Sequence, residues 1–591
     1  MLPAAHSGTF AVPVPLPPTA LKRDAPSTAP IVAQGRELTA TADGTYGLPL
    51  NHAAGDRFST PAAYTASTLT CRQAAGGNAP AAANTAPKAG GVLTTMVASD
   101  PNDWDVRNQG KTTVNVQTHG LVYETLLRFK KGPDAEYTNQ TLEPRLAEKW
   151  EVSPDGKAFT YHLRKGVKWQ NVAPVNGRDL TAADVKWSLE YYSAEKEFQG
   201  KKVNPSQVDF MYTGLDKVEA PDAATVVVRF KDSYAPFPNY TASQWMPIAA
   251  HEVYDQDGSL QKRLIGTGPF MFDEQASQKG SVWVVKKNPT YWDPSKPYLD
   301  GIKKFVLPET ATAQAAFQTK QLDVWVPNTT FTTARAVQQA NPQANLFRFQ
   351  VPIGNALLIS QKKTAALQNA NVRRAISLAI DREEHNKVLF GGEGKPFLAG
   401  SWPGLFTDAE VAAMTKTDVE AAKKLLADAG YSSGLTLEMI ITDSEETTQH
   451  QLLQSQLKRV GIDVKFTVLP REQHRPRLYK GDFDLYRNSG AGLLEADVDS
   501  FLYGEFHSTS TLNWTGINDP ELDKFLTLTR TSLNPDARRE AMRSAVKRIN
   551  EQAWDPGIVH PANWGFSQPY VRNWRPHFAG GESEAFAWLD K

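Results

Sequence analysis

Asn108 to Thr113 read NQGKTT, a glycine-lysine-threonine run of the kind that cradles phosphate. Such a loop needs a glycine five positions before Gly110 so that successive backbone N–H groups can turn inward, and Asp105 stands there. His251-Glu252 is half of a zinc-hydrolase helix motif without its second histidine. Glu384-His385 has no partner at ligand spacing, so both histidines are read as surface residues and no metal site is expected. A Gly-x-Ser-x-Gly nucleophile elbow is also missing, and no enzyme is expected. What remains is the chemistry of a binding cleft: aromatic walls, exposed backbone donors and acceptors, and one or two charges that select a ligand's ends.

Those groups must be positioned by more than one core, because 591 residues are too many for a single one. Lysine and arginine balance aspartate and glutamate at 64 each, so no field favours a polyanion and nucleic acid is not expected as a partner. One cysteine, Cys71, excludes an intramolecular disulfide framework and a multi-cysteine metal cluster. No apolar stretch approaches the roughly 20 residues of a membrane span.

From Leu146 the chain reads LAEKWEVSPDGKAFTYHLRKGVKW. Trp150 and Val152 alternate before a Ser-Pro-Asp-Gly turn, and Phe159, Tyr161 and Leu163 alternate after it, which predicts a half-buried hairpin. Thr181 and Asp184 have capping-box spacing, and Val185, Leu189 and Tyr192 follow on one helical face. Val92, Leu93 and Val97 predict a first strand, VYETLLRF from Val122 a short helix or strand, Val226 to Phe230 a buried strand, and IGTGPF from Ile265 a glycine turn into another. The second half alternates helices with strands. ANVRRAISLAIDREE from Ala370 is helical, Thr417 and Glu420 predict a capping box, and Leu453, Leu457 and Val460 form a helical face ending at Gly461. The alternating strand IDVKFTV follows at once, and Asp519-Pro520 and Asn534-Pro535 are two further helix starts.

In this order, the hairpin string, IGTGPF, YWDPSKPYLDGI, NVRRAISLAIDRE and GDFDLYRNSGAG followed by DSFL resemble the family 5 extracellular solute-binding proteins, the peptide and nickel type that feed ABC importers. The resemblance implies an α/β, two-lobed periplasmic-binding-protein-like fold (type II, cluster C), with an extra subdomain in the first lobe. It implies lobe I over 91–345 plus 557–591 and lobe II over 346–556. A monomer is expected, without cofactor, delivering an oligopeptide-like solute to ABC permease transmembrane subunits and their ATPases. In peptide-binding members an aspartate before the DSFL-like stretch pairs with the peptide α-amino group. Counting back from Ser500-Phe501-Leu502 puts Leu494 at that position, and Glu495 could replace it only with a backbone shift. An oligosaccharide or another amine-free solute is therefore the alternative ligand, and a sensory receptor the alternative role. Ser489, Gly490, Ala491 and Gly492 would leave room and expose backbone to either ligand. Ser99, Asp100, Trp104 and Tyr123 are placed at the cleft rim, with Trp245, Asn355 and Arg487 as further ligand contacts.

Residues 1–90 are rich in Ala, Pro, Thr, Ser and Gly without periodicity, and a disordered tether is expected there. CRQAAGGNAPAAANTAPKAGG from Cys71 looks like the lipidated cysteine and spacer of a bacterial lipoprotein, although Met1 to Thr70 contains no secretory apolar core. A place in the periplasm or on the outer face of the cytoplasmic membrane, with Cys71 as lipid anchor, is the corresponding expectation.

Overall fold

The computed structural model divides into a unit Met1–Ala62 and a main body Ala63–Lys591. In the first unit it describes two small antiparallel ladders, Val32–Ala33 with Arg36–Glu37 and Thr39–Ala40 with Tyr46–Gly47. In the body it describes residues 86–591 except 102, 106, 108–112, 204–205, 207, 328–330, 352, 444, 446, 493–496 and 579–580. Cys71 lies outside the described residues.

The body is two-lobed. In the first lobe, Val92–Val97 runs parallel to Gly301–Val306 at the edge of a four-stranded sheet completed by Val282–Lys287 and Phe270–Phe272. The expected hairpin, Ala147–Val152 and Ala158–Leu163, belongs to a second, antiparallel sheet. Its turn is closed by Gly156 in the left-handed region (φ +68°), while the Ser153 hydroxyl accepts from Ala158 N at 2.9 Å. Thr225–Phe230 pairs on the other side, placing Val226 opposite Tyr161 and Val228 opposite Phe159. Helix Ala182–Ser193 buries Val185, Leu189 and Tyr192 in the same core, and Asp184 accepts from Thr181 N at 2.8 Å at its start.

The second lobe is built on a six-stranded sheet in the order Lys395–Pro396, Gly557–His560, Ile353–Ile359, Leu485–Gly492, Leu435–Thr442, Ile462–Leu469. Along Leu435–Thr442, Leu437, Met439 and Ile441 enter one core while Ile440 enters another with Leu358, Leu478 and Phe483. Both faces of the strand are covered over Met439–Ile441, and only there is it continuously apolar.

Three local expectations change. VYETLLRF is divided between the end of helix Thr113–Val122 and the strand Leu127–Phe129. The Ala370 segment breaks into Ala370–Ala379 and Arg382–Phe390, because Asp381 caps the second helix by accepting from Glu384 N at 2.9 Å. The helix Val419–Asp428 is capped by Asp418, which accepts from Ala421 N at 3.1 Å, while the Thr417 hydroxyl donates to Ile380 O. A better-placed carboxylate outcompetes the hydroxyl.

Asp555, between helix Pro535–Gln552 and strand Gly557–His560, is 2% exposed, and neither carboxylate oxygen has a partner among the described residues. Burial pushes its carboxyl up from 3.8 to about 7. Its contribution to stability is therefore fully present below 3.8, where both states are protonated, and is lost as pH rises to about 7. Asp555→Asn should gain a few kcal/mol relative to the parent protein between pH 4 and 7.5, since each tenfold change in proton affinity on folding is worth about 1.4 kcal/mol. Urea titrations at the two pH values check this; parallel curves would refute it. His385 and His560, lowered to about 4 by burial, tilt both curves the other way and cancel in the difference.

Candidate functional site

The chain passes between the lobes twice. Asn345–Phe349 pairs with Asn563–Ser567 in a three-stranded sheet of the first lobe, and the next strand, Ile353–Ile359, pairs with Gly557–His560 in the second. The crossings thus run side by side and antiparallel. The His560 imidazole Nε2 is hydrogen bonded to the Val351 carbonyl across them, and the Gln350 amide reaches the His560 carbonyl at 3.5 Å. Short crossings held by so few bonds suit a hinge.

Just beyond the first crossing, Asn355 and Arg487 meet. The guanidinium donates to Asn355 Oδ1 at 2.9 Å and to the Gln449 side-chain carbonyl in the first turn of helix Thr448–Lys458. Glu445 lies close by, accepting from the Thr442 hydroxyl at 3.0 Å and facing His450 at 3.2 Å. Burial would raise its carboxyl, but His450, Thr442 and the charge of Arg487 hold it below its ordinary value. A nearly buried cation, one balancing carboxylate and amide dipoles make a polar corner fit to orient a charged ligand end.

The lobes also touch away from the crossings. Asn239 donates to Asp497 at 2.7 Å and Tyr240 to Asp499 at 3.4 Å. Both aspartates are buried and paired within the second lobe, Asp499 with Arg530 at 2.8 Å and Asp497 with Arg538 at 2.5 Å. Burial first, then the Asp499 charge, pushes the Tyr240 phenol well above its ordinary value, so it remains a donor.

The residues singled out from sequence fall into three groups. Asn355 and Arg487 are brought together. In the first lobe, Ser99 is exposed, but Asp100 is occupied by Gly280 N at 2.9 Å and the Trp283 indole at 3.0 Å. Trp104 is 6% exposed, edge-on to Trp283 and against Phe272, and Tyr123 is 2% exposed against His119. Trp245 is half-buried, its backbone N bonded to the Ser243 hydroxyl. Ser489, Gly490, Ala491 and Gly492 complete a strand whose Gly492 pairs with Ile353 and Ala491 with Gly354. Leu494 and Glu495 lie outside the described residues. Sequence reasoning missed Gln449, Asn239 and Tyr240, none of which sits in a recognisable motif; the Asp497 and Asp499 pair ahead of helix Asp499–Phe506 was the available signal.

His385 is 2% exposed, not a surface residue as expected: it is buried within the helix that Asp381 caps, and burial lowers its pKa to about 4. Asp184, His251 and Glu252 do converge, with ligand atoms within 4.8 Å, but Arg178 lies between the carboxylates, donating to Asp184 at 2.6 Å and Glu252 at 2.8 Å. The guanidinium already supplies the balancing charge.

Two lobes, paired crossings and a polar corner on the second lobe beside the first crossing are the architecture of a solute-binding protein. The chain belongs to the bacterial extracellular solute-binding proteins, family 5: residues 141–513 match the family described as "Bacterial extracellular solute-binding proteins, family 5 Middle". Heme-binding protein A of Haemophilus influenzae is 25% identical over 479 residues, covering 77% of this chain and 84% of that protein. Probable di/tripeptide-binding protein 5 of Pseudomonas aeruginosa is 26% identical over 531 residues, covering 83% and 94%. The ABC transporter-associated periplasmic binding protein DppA of Helicobacter pylori, solved with the peptide STSA, matches in fold with a TM-score of 0.69 at 23% identity, covering 85% of this chain and 99% of that one. Family 5 binding proteins are periplasmic or extracellular transport receptors that work with permease and ATPase subunits. Among the described residues no helix is long and apolar enough to cross a membrane.

Proposed function

We propose that this protein is the substrate receptor of an ABC importer that captures short peptides between its lobes and presents them to the permease. The observation that carries the reading is the polar corner of Asn355, Gln449 and Arg487 beside the paired crossings, where closure would bring a ligand's charged end. Two of the relatives above support the peptide class, one by its name and one by the peptide in its structure. In this reading the lobes are 91–345 plus 557–591 and 346–556, with the second boundary moved past His560 because Gly557–His560 pairs into the second lobe's sheet; the receptor acts as a monomer, and Cys71 tethers it to the outer face of the membrane. It performs no chemistry. Closure is a population shift, so the solute must contact the closed state better than the open one. The two curated relatives above are named for heme and for di/tripeptides, and a sugar is not taken further.

Native mass spectrometry of gently purified protein, followed by denaturation, tests the class directly. Short peptides are expected in the released fraction; a single non-peptide mass would overturn the reading. Trp245 belongs to the proposed contact set with Ser99 and the strand end Ser489 to Gly492, while Trp104 and Tyr123 are packed in the first lobe's core and Asp100 is taken by Gly280 and Trp283. Trp245→Ala should weaken binding of a tri- to pentapeptide mixture by about tenfold, the usual scale for a half-buried aromatic anchor, with the melting temperature preserved. Unchanged affinity in calorimetry would remove Trp245 from the site.

A further inference from the structure

The segment Ser233 to Tyr240 belongs to the first lobe, continuing from strand Thr225–Phe230, yet four of its polar groups are spent on the second. The Ser233 hydroxyl donates to Thr531 O at 2.6 Å, Ala235 N to Arg530 O at 2.8 Å, Asn239 to Asp497 and Tyr240 to Asp499. The Arg530 guanidinium stands 5.6 Å from the Tyr234 ring centroid. These contacts lie more than a hundred residues before the first crossing and end on helices Asp499–Phe506 and Pro520–Thr531 and on Asp497, two residues before the first of them. The acceptor side is prepared independently of the donors. Asp497 and Asp499 keep Arg538 and Arg530 whether or not Asn239 and Tyr240 are present, so parting the lobes leaves no carboxylate without a cation.

We propose that Asn239 and Tyr240 form an interlobe clasp on Asp497 and Asp499 that sets how much of the ligand-free receptor is closed. They are positioning residues, tuning affinity without touching the solute. The proposal rests on the receptor reading for its purpose, though its geometry stands apart from which solute is bound. A closed form already populated lowers what ligand must supply, and the apparent dissociation constant scales inversely with that population. The Asn239 bond, 2.7 Å and part-buried, is the stronger of the two, and the Tyr240 contact is buried but long at 3.4 Å.

The test uses the full chain with Cys71→Ser and donor and acceptor dyes at Lys217→Cys and Lys424→Cys, one exposed site on each lobe. Single-molecule energy transfer without ligand then reports the closed fraction. Asn239→Ala with Tyr240→Phe, which leaves both ion pairs intact, should lower the ratio of closed to open molecules at least about tenfold. An unchanged ratio, or a parent protein with no closed fraction, overturns the clasp. Adding the tri- to pentapeptide mixture separates the two ideas: closure on peptide in the variant, at higher concentration than in the parent, sustains the receptor reading whichever way the ligand-free ratio falls. Lack of any response to peptide in both proteins counts against peptide capture alone. Melting temperatures within two or so degrees of each other exclude unfolding as the cause of a lost closed fraction.

Discussion

Arg145→Ala should unfold the first lobe at markedly lower denaturant, at a cost of about 3–5 kcal/mol, the usual penalty for stranding a buried charge. Arg145 is 1% exposed and stands between two carboxylates, 3.1 Å from Glu124 and 3.3 Å from Glu582. Glu124 also accepts from Thr267 at 2.9 Å and from the Tyr291 hydroxyl and Trp292 indole. Glu582 keeps Lys131 at 3.2 Å. Removing the guanidinium leaves Glu124 without its cation, facing neutral donors only. Burial would raise the Glu582 carboxyl, but Arg145 and then Lys131 hold it down to about 2. A carboxyl lowered in this way stabilises the fold above 4.5, and that stabilisation is lost as pH falls toward about 2. Arg145→Ala should therefore also shorten the acid-stable range. Because Arg145 and Glu582 are far apart in the chain, the same change loosens the C-terminal segment from the lobe it completes. Urea unfolding followed by tryptophan fluorescence reads both effects; a midpoint unchanged at neutral pH would show that the lobe does not depend on this network.

Gly266→Ala comes next, with an expected loss of about 3 kcal/mol from overpacking against backbone that has nowhere to go. A Cβ on Gly266 would stand 2.1 Å from the Val122 carbonyl oxygen and 2.9 Å from Tyr123 Cα. Gly268 donates its N–H to that same Val122 oxygen at 2.8 Å, and Gly266 O accepts from Gln170 N at 3.1 Å. The loop cannot retreat without breaking these bonds, and the segment it would push carries Glu124. Its effect should therefore be less than additive with that of Arg145→Ala, since both act on one network. Full additivity in the double variant would contradict this coupling.

The two predictions also mark how far the chain could be read before folding. IGTGPF announced a glycine turn, and its φ-independent reason, close backbone approach, is a contact with residues more than a hundred positions earlier that no local pattern contains. The hairpin around Gly156, the helix starts at Asp519 and Asn534, and the strand Ile462–Leu469 were legible because turn chemistry, capping and alternation act over a few residues. Even so, alternation misleads at an edge: Val468 has the phase of buried Ile462 and Val464 but is 56% exposed, since its strand is the outermost of the sheet. At the site, Arg487 was visible as a charge in an extended run, whereas its partners Asn355 and Gln449 came from two other elements.

Sequence alone determined the class of the protein, through an ordered string of motifs, and the absence of any recognised catalytic constellation. It also determined most element types, since these follow from periodicity and capping within one segment. Tertiary structure alone decided which polar residues are already occupied. Asp100, read as a rim residue, accepts from Gly280 and Trp283, and the convergent Asp184, His251 and Glu252 receive Arg178. It also decided that Asn239 and Tyr240 meet Asp497 and Asp499. Hydrogen bonds and ion pairs form wherever folding brings their atoms within about 3 Å, and that proximity is a property of the packed lobes rather than of spacing along the chain.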